Sequence, residues 1–215
     1  MTRSGEALRL AARDLYANSW RLVPLNALLG AIVVAAAYAA FAVHAAIALV
    51  VLAGPAAAAL VHCAVTVVRT GNLTLADGVE GLREHWRRGL ALGAVGTAFV
   101  LLAALAIHTY GSSPVAWPLA FVTLYLVILL GVYQIVLWTL AIADPARPLR
   151  AAARSAGELV ARRPGATAAL GLVLLVVNLA GIAAAVMPFL TLTIAYSFVA
   201  VAHFALPRPL MEDPS

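Results

Sequence analysis

Four polar residues, Asn26, His62, Gln134 and Asn178, interrupt long apolar runs, and one stretch, DGVEGLREHWRRG from Asp77 to Gly89, gathers charge around a tryptophan. Arginines flanking an indole suit phosphate contact and base stacking, so this stretch on its own resembles a nucleic-acid recognition helix. Amides and an imidazole inside apolar segments suit either a hydrogen bond between helices or a polar site for a small solute. Gln134 and Asn178 fall near the middle of two such segments, and His62 about 10 Å inside the end of another. Acid–base or nucleophilic catalysis needs a titratable pair, or a nucleophile beside its base, and the sequence assembles neither; GxSxG, Walker and HExxH patterns are absent. The histidines, at 44, 62, 85, 108 and 203, look scattered over both faces. Only His44 and His108 are expected to meet, and two ligands without a third make no metal site. No catalytic residue, metal or cofactor is therefore expected.

Composition decides what holds these residues. Hydrophobic residues make up 64% of the chain and charged residues 11%, well below the roughly 25% of soluble domains, so there is too little polar surface for a water-soluble fold. Every one of the 14 basic residues is arginine, which in so alanine-rich a chain reflects coding composition rather than function. Cys63, the single cysteine, lies in an apolar run and is expected to pack as a small hydrophobe. Ala37-Tyr38-Ala39 imitates a signal-peptide cleavage site, but Glu6 and Asp14 precede it and apolar sequence continues beyond it, so a retained first span is expected.

A helix crossing the hydrocarbon needs about 20 apolar residues. Suitable runs lie near 22–43, 46–68, 90–109, 117–142, 166–186 and 189–206. Arginines cluster before, between and after pairs of these runs, whereas the connections near His44, from Tyr110 to Ala116 and at Met187 contain no Arg, Asp or Glu. Six spans put every arginine group on one side. By the positive-inside rule that side is cytoplasmic, with both termini inside. The chain then reads as one membrane domain of three hairpin units, 1–68, 69–142 and 143–206, with a short cytoplasmic tail at 207–215. Their openings, AARDLYANSWRLVPLNALLG, GVEGLREHWRRGLALGAVG and AARSAGELVARRPGATAALG, are loosely alike, as internal repeats would be.

The cytoplasmic segments read as amphipathic helices. Thr74 and Asp77 have the spacing of a capping box. Leu75, Val79, Leu82 and Trp86 fall on one face, opposite Glu80, Arg83, Glu84 and Arg87. In the next segment Pro148 opens a helix, Leu149, Ala153, Ala156 and Val160 form its stripe, and Pro164 ends it. Such helices are expected to lie in the headgroup layer with apolar faces toward lipid or the bundle. Trp20, Trp86, Trp117 and Trp138 are placed as interfacial anchors, and Gly89, Gly93 and Gly96 as a close helix contact. No span interior holds Asp, Glu or Arg, so the markers of proton relays and ion-coupled transport are missing.

Three features of this chain, Asn26 in PLNALLG, GPAAAAL at 54–60, and DGVEGLREHWRRG, resemble the YesL family of bacterial membrane proteins. That family shows an asparagine early in the first span, a GPA..AL start to the second and a DFxxxFxxNF cytoplasmic segment. PLRAAARSAGELVARRPG at 148–165 is similar to its second cytoplasmic connection, so the likeness in layout covers most of the chain. Gly78, Leu82 and Trp86 stand where the family has phenylalanines, and His85 where it has asparagine, which puts any role of that asparagine in doubt here. The resemblance implies an accessory protein associated with a carbohydrate uptake system. The expectation is an all-helical, six-span bacterial inner-membrane protein, a non-enzymatic accessory or scaffold meeting lipid or another membrane protein through Arg83, Trp86, Arg87 and Arg88. Placed between two spans, that stretch is not expected to meet nucleic acid. The alternative is a small-solute transporter or channel with Asn26, His62, Gln134 and Asn178 around one site.

Overall fold

The computed structural model describes residues 3–18, 49–111, 116–183 and 187–206, together with single helical positions between 21 and 39. Of the first predicted span only those scattered helical positions are described, and Asn26 and the turn at His44 lie outside the described residues. Seven α-helices are described: α1 (Arg3–Ala17), α2 (Gly54–Thr70), α3 (Leu75–Gly111), α4 (Trp117–Ala143), α5 (Leu149–Arg162), α6 (Pro164–Ala183) and α7 (Met187–Ala205). A π-helical turn, Leu49–Ala53, leads into α2, where Pro55 sits in the first turn and needs no N–H partner. No strand occurs among the described residues.

Four of these helices are long and apolar enough to cross a membrane: Val51–Thr70, Leu75–Gly111, Trp117–Ala143 and Pro164–Gly181. In α7 the apolar stretch, Leu192–Ala205, is shorter. The 37 residues of α3 span about 55 Å, nearly twice a hydrocarbon core of about 30 Å. The charged stretch and the run at 90–109 are therefore one continuous helix.

The α2–α3 hairpin turns through Gly71, whose φ of +72° suits a residue without Cβ and whose N–H donates to the Val67 carbonyl at 2.8 Å. Thr74 and Asp77 then cap α3 reciprocally: the Thr74 N–H donates to Asp77 Oδ2 at 2.7 Å, and the Asp77 N–H to Thr74 Oγ1 at 3.4 Å. The two helices meet backbone to backbone. A Cβ on Gly54 would come within 2.6 Å of the Gly89 carbonyl oxygen, so a larger residue would wedge them apart. Gly93 also faces Gly54, whereas Gly96 borders open space, so two of the three glycines make the expected contact.

This register changes the reading of α3 and of the second span. The face of α3 against α2 is Gly78, Gly81, His85, Gly89 and Leu92, all buried, and the stripe of Leu75, Val79, Leu82 and Trp86 is exposed. It does not face the bundle. The physical reason is that close helix contact favours residues with little side chain, which hydrophobic periodicity does not register. Gly54 to Thr70, most of the run at 46–68, lies beside the charged part of α3 rather than beside 90–109.

The core gathers at one end of the molecule. It joins Ala7 and Ala11 of α1, Ala58 to Val65 of α2, Val132 to Ile142 of α4, Ala152 and Ala156 of α5, Leu170 and Leu174 of α6, and Val199 to Phe204 of α7. Trp138 belongs to this core and is not an exposed interfacial anchor; Trp117 and Trp86 are exposed. The apolar side chains toward the far end of α3 and the start of α4, among them Leu101, Leu105, Phe121 and Tyr125, face outward, as lipid-facing residues do. Helix α5 forms where predicted, with Ala152, Ala156 and Val160 buried, and its stripe packs on the bundle.

Candidate functional site

At the core end, α1 is tied down by three polar contacts, two to α7 and one to α6. His203 Nε2 donates to Asp14 Oδ2 at 2.7 Å, the Tyr196 hydroxyl to the Leu8 carbonyl at 3.1 Å, and Ser4 Oγ to the Ala166 carbonyl at 3.0 Å. Asn18 Nδ2 reaches the Gly71 carbonyl at 3.2 Å and Arg21 the Leu73 carbonyl at 2.9 Å, so the chain after α1 is fastened to the α2–α3 turn. These contacts have no signature in local spacing, because their partners lie tens to nearly two hundred residues apart.

The four residues expected to meet lipid or a partner divide into two groups. Arg83, Trp86 and Arg87 are exposed on α3, with the Arg87 guanidinium 5.2 Å from the Trp86 ring centroid, a cation–π distance. A shallow groove runs along this side, lined by Ala76, Val79, Glu80, Arg83 and Glu84. Arg88 turns inward instead. Its guanidinium donates to the carbonyls of Ala141, Asp144 at 3.2 Å, Pro145, and Arg147 at 2.8 Å. Arg69 adds a bond to the Ala143 carbonyl at 2.9 Å. Both cations thus sit on the unpaired carbonyls at the C-terminus of α4, where the helix dipole favours positive charge. Arg88 holds the fold together, and Arg83 and Arg87 are exposed.

Two of the three described members of the solute-site set take partners of their own. Asn178 Nδ2 donates to Ser197 Oγ at 2.7 Å and to the Leu174 carbonyl at 2.8 Å, a bond between α6 and α7. Gln134 lies on α4 with its buried Oε1 unpartnered. His62 pairs with His85 across the α2–α3 contact, Nδ1 to Nε2 at 3.1 Å. Asn178 and His62 have the interhelical hydrogen bonds that polar side chains make in membrane proteins, and none of the three lines a described cavity.

The His62–His85 pair corrects the picture of scattered histidines. The four-residue turn at 71–74 folds α2 back on α3, and Gly81 leaves space for the His62 ring: a Cβ there would lie 2.8 Å from His62 Cβ. Glu84 Oε2 lies 3.8 Å from His85 Nε2, and donor atoms of His62, Glu84 and His85 all fall within 4.8 Å of one another. His85 is fully buried, on the part of α3 that precedes the apolar run. Burial pushes its imidazole down from the ordinary histidine value; Glu84 opposes that, and His62 and Arg88 add to it. The ring is therefore neutral at neutral pH. The signal for this cluster was present in the turn length, because a tight hairpin closing at Gly71 brings position 62 to the level of 81–85.

No protein family, curated protein or solved structure matches the chain.

Proposed function

We propose that this chain is a non-enzymatic accessory or scaffold protein of the bacterial inner membrane that docks a second protein on the outward face of α3, whose charged part is cytoplasmic. The observation that carries this reading is the exposed stripe of Leu75, Val79, Leu82 and Trp86 on a helix too long for the membrane. With a span beginning near residue 90, where charge ends, Leu75 stands about 22 Å beyond the hydrocarbon, out of reach of acyl chains. Apolar side chains held there call for cover by protein, and Arg83 and Arg87 border the stripe for polar contacts at its rim. An amphipathic helix of the partner is the fitting occupant, since four apolar residues at helical spacing form a ridge about 16 Å long. The YesL resemblance directs the search for that partner to carbohydrate uptake systems.

A photo-crosslinking residue at Leu82, in native membranes, is expected to trap one protein in stoichiometric yield, while the same residue at Leu102 traps lipid. Affinity purification in mild detergent is expected to recover that protein and to lose it on Arg83→Glu with Arg87→Glu. A probe at Leu82 that captures only lipid, or a solitary protein unaffected by the charge reversals, would sink the docking role.

A further inference from the structure

We infer that His62, Glu84 and His85 form a binding site for one divalent late first-row transition-metal ion, of which Zn²⁺ is the representative. The site stands independently of what α3 docks. It draws ligands from two helices: His62 from α2, and Glu84 with His85 from adjacent positions of α3.

Three observations carry it. The first is donor spacing. In a tetrahedral site with metal–nitrogen and metal–oxygen bonds of about 2.0–2.2 Å, ligand atoms stand about 3.3–3.5 Å apart. His62 Nδ1 to His85 Nε2 measures 3.1 Å and His85 Nε2 to Glu84 Oε2 3.8 Å, which bracket that value, and the three ligand atoms all lie within 4.8 Å of one another, so a small rotation of the exposed Glu84 side chain closes the set. The second is that the arrangement is built into the hairpin. Gly81 alone, among residue types, lets the His62 ring lie this close to the backbone of α3, because any Cβ there would meet His62 Cβ at 2.8 Å and Cγ at 2.9 Å. The third is the free nitrogen of His85. Its buried Nδ1 has no hydrogen-bond partner, so no second contact locks the proton on Nε2, and Nε2 can present its lone pair.

Two imidazoles and one carboxylate are the donor set of open zinc sites, in which water takes the fourth position. Here the half-exposed Glu84 side chain lines the groove on the outward face of α3, which gives the ion a path from water and keeps the fourth position open. Bound metal would join α2 to α3 below the Gly54–Gly89 contact, at the level of the proposed docking stripe. Soft thiolate is absent from the set and hard oxygen is in the minority, which favours Zn²⁺, Co²⁺, Ni²⁺ or Cu²⁺ over Ca²⁺ or Mg²⁺.

The test uses the full chain purified in detergent, stripped with a chelator and titrated with Zn²⁺ in competition with a chromophoric chelator. One equivalent is expected to bind. Glu84→Gln and His62→Asn are each expected to weaken binding by at least about tenfold, while His108→Asn, near the other end of α3, leaves it unchanged. Co²⁺ is expected to give the intense visible absorption of a tetrahedral site, and Zn²⁺ to raise the melting temperature of the parent chain but not of Glu84→Gln. Glu84 is exposed, so its variant reports on binding even where His62→Asn fails to fold. Absence of a one-equivalent site, or Zn²⁺ binding by Glu84→Gln equal to that of the parent chain, would show the two histidines to be a hydrogen-bonded pair only.

Discussion

Arg88 donates to four backbone carbonyls at the end of α4, and its neighbours Arg83 and Arg87 donate to none that are described. Arg88→Gln is therefore expected to cost about 2–4 kcal/mol, since it strands partly buried carbonyls that a cation had satisfied. Arg83→Gln and Arg87→Gln are expected to stay within about 0.5 kcal/mol of the parent. Thermal melting in detergent compares the three directly; equal losses would contradict the division of labour. At Asn178, replacement by Leu removes one bond between α6 and α7 and is expected to cost about 0.5–2 kcal/mol in the same assay. What the sequence could and could not announce at this scale follows from distance along the chain. The Thr74–Asp77 cap was legible because its two bonds close within three residues. The role of Arg88 was not, since its acceptors lie more than fifty residues away and nothing in a run of arginines marks which one turns inward.

Helix α3 shows how a single element can carry two opposed faces, one apolar and one nearly bare of side chains. Hydrophobic periodicity located the apolar face and left its neighbour open between lipid and the bundle; the bundle is not that neighbour, because the glycine edge, with His85 set into it, makes the contact with α2. Gly89→Val is expected to push α2 and α3 apart and to cost about 2 kcal/mol or more, because its Cβ would lie 2.8 Å from the Gly54 carbonyl oxygen and from Pro55 Cα. Gly96→Ala is the control. Nothing lies within 4 Å of its added Cβ, so helix propensity alone should raise stability by about 0.5–1 kcal/mol. Chemical denaturation of the two variants separates steric contact from propensity. Helix α5 was more legible, since a Pro148 start, a stripe of alanines and Val160, and the Pro164 stop are all local signals, and its small apolar face had the bundle as its partner.

At the scale of the molecule, the all-helical class and the long apolar helices follow from composition and run length, while the arginine grouping carries the proposed orientation, with the charged part of α3 cytoplasmic and Gly111 outside. That arrangement predicts labelling from opposite sides. In a background where Cys63 is replaced by Ala, Gly111→Cys is expected to react with an impermeant maleimide applied to intact spheroplasts, and Glu80→Cys only after the membrane is opened. Reaction of both from the outside, or of neither before lysis, would refute the orientation. The register of α2 on α3 follows from the tight turn at Gly71, whereas its place beside the charged part of α3 was hidden in an apolar run that reads as a span of its own. One mechanical outcome follows from α3 being unbroken. Helix α3 is a lever of about 55 Å, clamped by Arg88 to the connection between α4 and α5. A thinner or thicker bilayer changes the tilt of a spanning helix, and a tilt of about 10° about the clamp sweeps Leu75, about 20 Å from it, through roughly 3 Å. Leu75 at its tip would then travel farther than Trp86 near the clamp, so bilayer thickness would set the angle at which a docked protein is held.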